Sequence, residues 1–164
     1  MDMQATGAKS APLGRTFVAP HLVCANAADA IEFYKKAFGA TEEMRMAGPD
    51  GKAIMHACIT INGAPIFLVD ENPQWGALSP KSLNGSPVTI HLQVKDVDAL
   101  FDRALKAGAT VKMPPCDMFW GDRYGVLTDP FGHNWSLATH LRDMTQAEIK
   151  EAMLAEFAAH TQKG

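Results

Sequence analysis

The chain is short of several features, and each shortage excludes something. It has no apolar run of the ~18–20 residues that a membrane-spanning helix requires, so no membrane span is expected. It has no excess of charge: the formal net charge is only −3. Nucleic acid and anionic membrane surfaces attract dense positive charge and are not expected as partners. Cysteine is sparse. Cys24, Cys58 and Cys116 are odd in number and show no Cys-x-x-Cys spacing. The Ala/Gly/Ser-rich start lacks the apolar stretch of a signal peptide, so residues 1–16 read as a flexible arm. Reduced thiols and a cytoplasmic location follow as expectations. What is present is ordinary core-forming material, 47% hydrophobic against 20% charged, in 164 residues that suffice for one well-buried domain.

An internal repeat organises the chain. His21-Leu22-Val23-Cys24 leads into Ala30-Ile31-Glu32-Phe33 and then Ala37-Phe38-Gly39-Ala40-Thr41. His91-Leu92-Gln93-Val94 leads into Ala99-Leu100-Phe101 and then Ala107-Gly108-Ala109-Thr110. Each copy starts with an extended run, 20–25 or 88–95. Asn26 or Asp96 follows at an N-cap position. Apolar residues then recur at helical spacing: Ala27, Ala30, Ile31, Tyr34 and Phe38, or Val97, Leu100, Phe101 and Ala104. Gly39 and Gly108 supply helix stops. Three more extended runs complete each copy: Thr41–Ala47, 52–61 and Ala64–Asp70, then 110–114, 123–128 and 134–139. Asn62-Gly63 is a two-residue hairpin signal, and Asp129-Pro130-Phe131-Gly132 makes the corresponding turn. The fold class is therefore α+β: two βαβββ modules in tandem forming a curved, cup-shaped mixed β-sheet with helices on its outer face. The modules span 17–71 and 88–140, joined by a Pro/Gly/Ser/Asn-rich linker at 72–87. Residues 141–164 form a C-terminal helical extension. It opens with the capping box Thr145-Gln146-Ala147-Glu148 and carries the stripe Ile149, Met153 and Phe157, suited to cover a sheet edge or meet a partner subunit.

Strand alternation assigns side chains to faces. In 88–94, Val88, Ile90, Leu92 and Val94 face the helix, which leaves Thr89, His91 and Gln93 on the other side. In 52–61, Met55, Ala57, Ile59 and Ile61 form the apolar set, opposite Ile54, His56, Cys58 and Thr60. His21 matches His91 in the repeat. Ser136 points away from the helices, and Phe67 is its repeat partner. The expected ligand-cavity residues are thus His21, His56, Phe67, His91, Gln93 and Ser136. His21, His56 and His91 are candidate ligands for a divalent metal, because imidazole is the commonest metal ligand. The plainer alternative is that they only hydrogen-bond water or each other. Cys58 shares the face of His56 and reads as a small buried filler, with a reactive thiol or a soft ligand as the alternatives.

The helix Ala30-Ile31-Glu32-Phe33-Tyr34-Lys35-Lys36-Ala37-Phe38-Gly39-Ala40 and two later runs resemble the vicinal oxygen chelate superfamily. Those runs are Trp120-Gly121-Asp122-Arg123-Tyr124-Gly125 and Asp129-Pro130-Phe131-Gly132-His133-Asn134-Trp135. The superfamily includes glyoxalase I, extradiol dioxygenases and the fosfomycin- and bleomycin-resistance proteins; this chain looks nearest to its PhnB-like branch, over roughly 17–140. Catalytic members hold a metal on His/Glu ligands from both halves and bind two neighbouring substrate oxygens. By resemblance, His56 stands where glyoxalase I has its first glutamate and Ser136 where it has its last. Strict register puts Ala19 and Thr89, not His21 and His91, at the histidine positions. A complete two-His, two-Glu site is absent, and classical glyoxalase I chemistry is not expected.

Trp120 belongs to the same motif and would wall the cavity, while Arg123 would meet an anionic substrate group. The alternative is a structural turn at the rim, with Asp122 pairing to a nearby cation. His133 reads as fixing its loop, and Asp70-Glu71 as solvated carboxylates. The resemblance implies a protein that binds a small oxygenated metabolite, with lyase, isomerase or transferase chemistry on zinc, manganese, nickel or iron. The alternative is a metal-free protein that sequesters a drug or toxin. Members commonly pair, so a homodimer is expected.

Overall fold

The structure, a computed structural model, describes residues 17–161; the predicted arm at 1–16 and residues 162–164 lie outside the described residues. The chain divides into two compact units, Met1–Ser86 and Pro87–Gly164.

The first unit contains β1 (His21–Cys24), α1 (Ala27–Phe38), β2 (Thr41–Ala47), β3 (Ile54–Ile61) and β4 (Ala64–Asp70). Its sheet has the order β1-β4-β3-β2, with β1 parallel to β4 and the other pairs antiparallel. The helix starts where the Asn26 side chain accepts a hydrogen bond from the Asp29 amide at 3.0 Å, and it ends at left-handed Gly39. All five residues of its predicted apolar stripe are buried against the sheet. The Asn62-Gly63 turn closes the β3–β4 hairpin, with both residues at positive φ.

The second unit repeats the plan with β5 (Thr89–Gln93), α3 (Val97–Ala107), β6 (Thr110–Asp117), β7 (Asp122–Thr128) and β8 (Asn134–His140), in the order β5-β8-β7-β6. Asp96 caps α3 through the Ala99 amide at 3.0 Å. Trp135, Leu127 and Leu137 are fully buried, with Phe101 and Ala104 of α3 beside them in the core. Two four-stranded mixed sheets in tandem, each with a helix, confirm the α+β fold expected from the repeat.

Each first helical amide is tied to the end of its unit's last strand. The Ala27 N–H donates to the Asp70 carboxylate, and the Val97 N–H donates to the Thr139 hydroxyl at 2.8 Å. Asp70 also accepts from the Ile54 amide at 2.7 Å, so it holds the unit together rather than sitting solvated. Glu71 likewise accepts from the Ser79 amide and the Ser82 hydroxyl, at 2.9 and 2.7 Å. Those bonds give the expected linker a structure: a 3-10 turn at Pro73–Trp75 and the short helix α2 (Pro80–Leu83), capped by the buried Ser79.

Two expectations of local geometry change. The alternation in β3 holds for Ala57, Ile59 and Ile61, but Ile54 is buried as well, because β2–β3 pairing slips between Met46 and Ala47. Strand β6 runs on to Asp117 through Pro114 and Pro115. It is an edge strand, where a missing N–H interrupts no ladder on its open side. The capping box forms at the start of α4 (Gln146–Thr161), with Glu148 accepting from the Thr145 amide and hydroxyl at 2.7 Å each. Among the described residues α4 packs extensively on no strand of its unit, and Phe157 is 66% exposed. No helix of the described residues is long and apolar enough to cross a membrane.

Candidate ligand-binding faces

Each sheet has one face under its helix and one face away from it, and register decides what the second face carries. In the first unit His21 pairs with Phe67, Phe67 with Cys58, Cys58 with Met44, and His56 with Met46. Residues paired across a ladder point the same way, so these side chains share the face away from α1. The His56 and Phe67 ring centroids are 5.3 Å apart, His21 and Phe67 6.3 Å, and His21 and His56 6.2 Å, edge to face. Phe17 adds a further ring 6.4 Å from Phe67. Three of the expected site residues, His21, His56 and Phe67, thus come together. Neither imidazole has a hydrogen-bond partner among the described residues. Cys58 is held as a neutral thiol: burial and the nearby Glu43 charge raise its pKa, which suits a filler more than a nucleophile.

In the second unit His91 pairs with Ser136, Ser136 with Val126, and Gln93 and Tyr124 both with Ala138. His91 Nδ1 lies 2.8 Å from the Ser136 hydroxyl and Nε2 lies 3.1 Å from Gln93 Oε1. The amide oxygen accepts from Nε2, and in the Nε2–H tautomer Nδ1 accepts from the hydroxyl. The Tyr124 ring stacks on His91 at 6.3 Å and 17°. Trp120 meets Tyr124 edge-on at 5.7 Å, and Phe119 meets Trp120 at 4.9 Å. His91, Gln93, Ser136 and Trp120 therefore belong to one cluster.

Arg123 does not join it. It is the register neighbour of Tyr124 and so points to the helix side, where it pairs with Asp98 of α3 at 2.6 and 2.8 Å and with Asp117 at 2.9 Å. Those two carboxylates raise its pKa beyond the ordinary guanidinium value, and Arg123 in turn lowers that of Asp98. The expected anion-binding arginine is thus already matched within its own unit. Tyr124 was missed by the sequence reading. The signal was available, since parity within 120–126 puts Tyr124 on the face of Val126 and opposite that of Arg123. Asp122 pairs with His140, a residue to which the sequence had given no role and which is a cation only when its ring is protonated. The backbone amide of His133 donates to buried Asp129 at 3.0 Å, a bond that does not involve the imidazole.

The donor set does not fit the expected three-histidine metal centre. Both ring nitrogens of His91 are engaged by Ser136 and Gln93, and binding a metal would break one of those bonds. Among the described residues no group of three or more His, Cys, Asp and Glu side chains is disposed to hold a metal ion.

Tandem βαβββ units, each with a parallel pair at one end of its sheet and an open face of imidazole and aromatic side chains, define a protein of the glyoxalase fold class. The chain belongs to the Glyoxalase/Bleomycin resistance protein/Dioxygenase superfamily, whose sequence profile matches residues 16–137. It is 54% identical over 142 residues to protein Rv0887c of Mycobacterium tuberculosis H37Rv, covering 85% of this chain and 83% of that protein. Its fold is similar to that of TioX from Micromonospora sp. ML1, with a TM-score of 0.62 and 24% identity over 77% of this chain and all of that one (100%). It is similar also to the PhnB protein, a putative 3-demethylubiquinone-9 3-methyltransferase, from Bacillus cereus: TM-score 0.60, 18% identity, 76% and 99% coverage.

Proposed function

We propose that the protein binds a small planar molecule bearing neighbouring oxygens, on the sheet face that carries His91, Gln93, Ser136, Tyr124 and Trp120, without a resident metal. The observation that carries this reading is the hydrogen-bonded pairing of His91 with Ser136 and Gln93 beside the Tyr124 and Trp120 rings. The rings offer stacking area and the polar trio offers a donor and acceptors to hydroxyl or carbonyl groups. Among the described residues no lysine or arginine belongs to that cluster, which favours a neutral ligand over an anion. The reading takes the protein as a cytoplasmic homodimer that sequesters its ligand.

Catechol is a suitable probe, since it joins a ring to two adjacent oxygens. Added catechol is expected to raise the melting temperature in a concentration-dependent way that EDTA does not alter. Tyr124→Ala should weaken binding by about tenfold, the upper end of the ~1.5 kcal/mol that an aromatic pair contributes. Unchanged affinity in Tyr124→Ala would remove this face from the binding site.

A second reading, a metal-dependent enzyme, has one observation in its favour: His21 and His56 stand side by side with no hydrogen-bond partner among the described residues. It requires about one equivalent of bound metal in the purified protein, lost on His56→Ala. Finding that equivalent would overturn the metal-free reading.

A further inference from the structure

We propose that His140 is a positioning residue for Trp120: by bridging Asp122 to Asp143 it clasps the 118–121 turn to the segment that follows β8, and so sets where the Trp120 indole stands beside Tyr124.

The turn joins β6 to β7. It is closed by the Met118 amide donating to the Asp122 carbonyl at 2.8 Å and the Gly121 amide donating to the Met118 carbonyl at 3.0 Å. The Gly121 carbonyl in turn accepts from the Leu141 and Arg142 amides, at 3.0 and 3.2 Å. The stretch after β8 is thereby laced to the residue next to Trp120. The side chains lock the same junction. Asp122 and His140 are register partners at the end of the β7–β8 ladder, and His140 Nδ1 lies 2.9 Å from Asp122 Oδ1. His140 Nε2 lies 2.9 Å from Asp143 Oδ1.

Both partners are carboxylates, which accept only, so both imidazole nitrogens must carry hydrogen for the clasp to close. A neutral ring can donate to one of them and no more. The clasp is therefore complete only around the imidazolium. Asp122 and then Asp143 raise the pKa of His140, as that geometry requires. Among the described residues these two carboxylates, one from β7 and one from the segment after β8, are the charged groups that face the ring. Arg142, two residues further along the chain, acts on Glu148, whose pKa it helps to lower. The sign follows from the raised value. The clasp is fully present below the ordinary histidine pKa of ~6.5 and is lost as pH rises through the folded value. Asp122 keeps the remaining bond, being the more sheltered partner, with a side chain 22% exposed against 105% for Asp143. Deprotonation thus frees the Asp143 side and loosens the backing of the turn.

The functional consequence rests on the reading of the Trp120–Tyr124–His91 cluster as the ligand face, but the clasp itself is measurable in the free protein. Subtracting the emission of Trp120→Phe from that of the parent isolates Trp120 from Trp75 and Trp135. Recorded from about pH 5 to about pH 9, a range that brackets imidazole titration, the isolated Trp120 emission should move to longer wavelength as pH rises. The same subtraction in a His140→Gln background should give no pH dependence. Asp143→Asn, a change at a fully exposed side chain that carries little folding risk, should move the midpoint to lower pH. Catechol affinity should fall over the same pH interval in the parent and stay level in His140→Gln. An emission profile identical in parent and His140→Gln, or a midpoint unmoved by Asp143→Asn, would overturn the clasp. A complete emission titration without any catechol binding would sustain the clasp and count against the proposed function.

Discussion

Asp129→Ala is expected to destabilise the second unit by roughly 3–5 kcal/mol, more than any other single carboxylate replacement in the chain. Asp129 is 4% exposed and stands at the turn between β7 and β8. Its Oδ1 accepts from the Phe131 and His133 amides at 2.9 and 3.0 Å, and its Oδ2 accepts from the Trp135 indole N–H at 2.9 Å. Trp135 is wholly buried, so its N–H has no water to turn to once the carboxylate is gone. Each stranded buried donor costs about 1–3 kcal/mol, and the three losses overlap because they share one side chain. Asp129→Asn separates the contributions. Its amide oxygen can still accept from both backbone amides, while its NH2 would oppose the indole N–H, so about half of the loss should return. Urea unfolding followed through the near-ultraviolet signal of Trp135 measures both variants. A loss below about 1 kcal/mol in the alanine variant would show that the buried carboxylate does not hold the turn.

Gly121→Ala should cost roughly 2–4 kcal/mol and displace Trp120 from Tyr124. Gly121 has φ +97°, and a Cβ added there would lie 2.5 Å from the Arg142 carbonyl oxygen, a backbone atom that cannot swing aside. Left-handed backbone alone costs an L-residue about 1–2 kcal/mol, and forced overpacking adds about 1–3. The chain must part from Arg142, which weakens the amide bonds from Leu141 and Arg142 to the Gly121 carbonyl. Gly51→Ala is the matched control: its φ is +68° but nothing lies within 4 Å of the added carbon. It should show the backbone cost alone, about 1–2 kcal/mol, with normal Trp120 emission and catechol binding. Equal losses in the two variants would mean that the contact with Arg142 is not restrictive.

These two sites show how unevenly the molecule could be read in advance. Asp129 lies in the Asp-Pro-Phe-Gly run, so a turn was legible there; its hold on an indole six residues later was not. The repeat was legible because caps and periodicities involve neighbours along the chain: Asn26 with Asp29, Asp96 with Ala99, and the apolar stripes of α1 and α3. Strand parity carried further. It placed His21, His56, Phe67, His91, Gln93 and Ser136 on the faces that the ladder pairing gives them. Arg123 was misplaced because its motif outweighed parity, although parity alone would have turned it to the helix side and brought Tyr124 forward. At β3, a slip in pairing with β2 overrode the simple alternation and buried Ile54.

The amino-acid sequence by itself determined the tandem βαβββ plan, the helix boundaries, the hairpin turns and the side of the sheet on which most polar residues stand. Each of these depends on interactions within a few residues, or on the two-residue pleat. Only the tertiary structure decided which side chains meet. Asp98 with Arg123, Asp122 with His140, Val97 with Thr139 and Ala27 with Asp70 are separated by 25, 18, 42 and 43 residues. Such partners are chosen by strand order and register, which arise when the whole sheet assembles around its helix. A guanidinium on the helix side finds the carboxylates waiting there, and an imidazole between two carboxylates becomes a clasp.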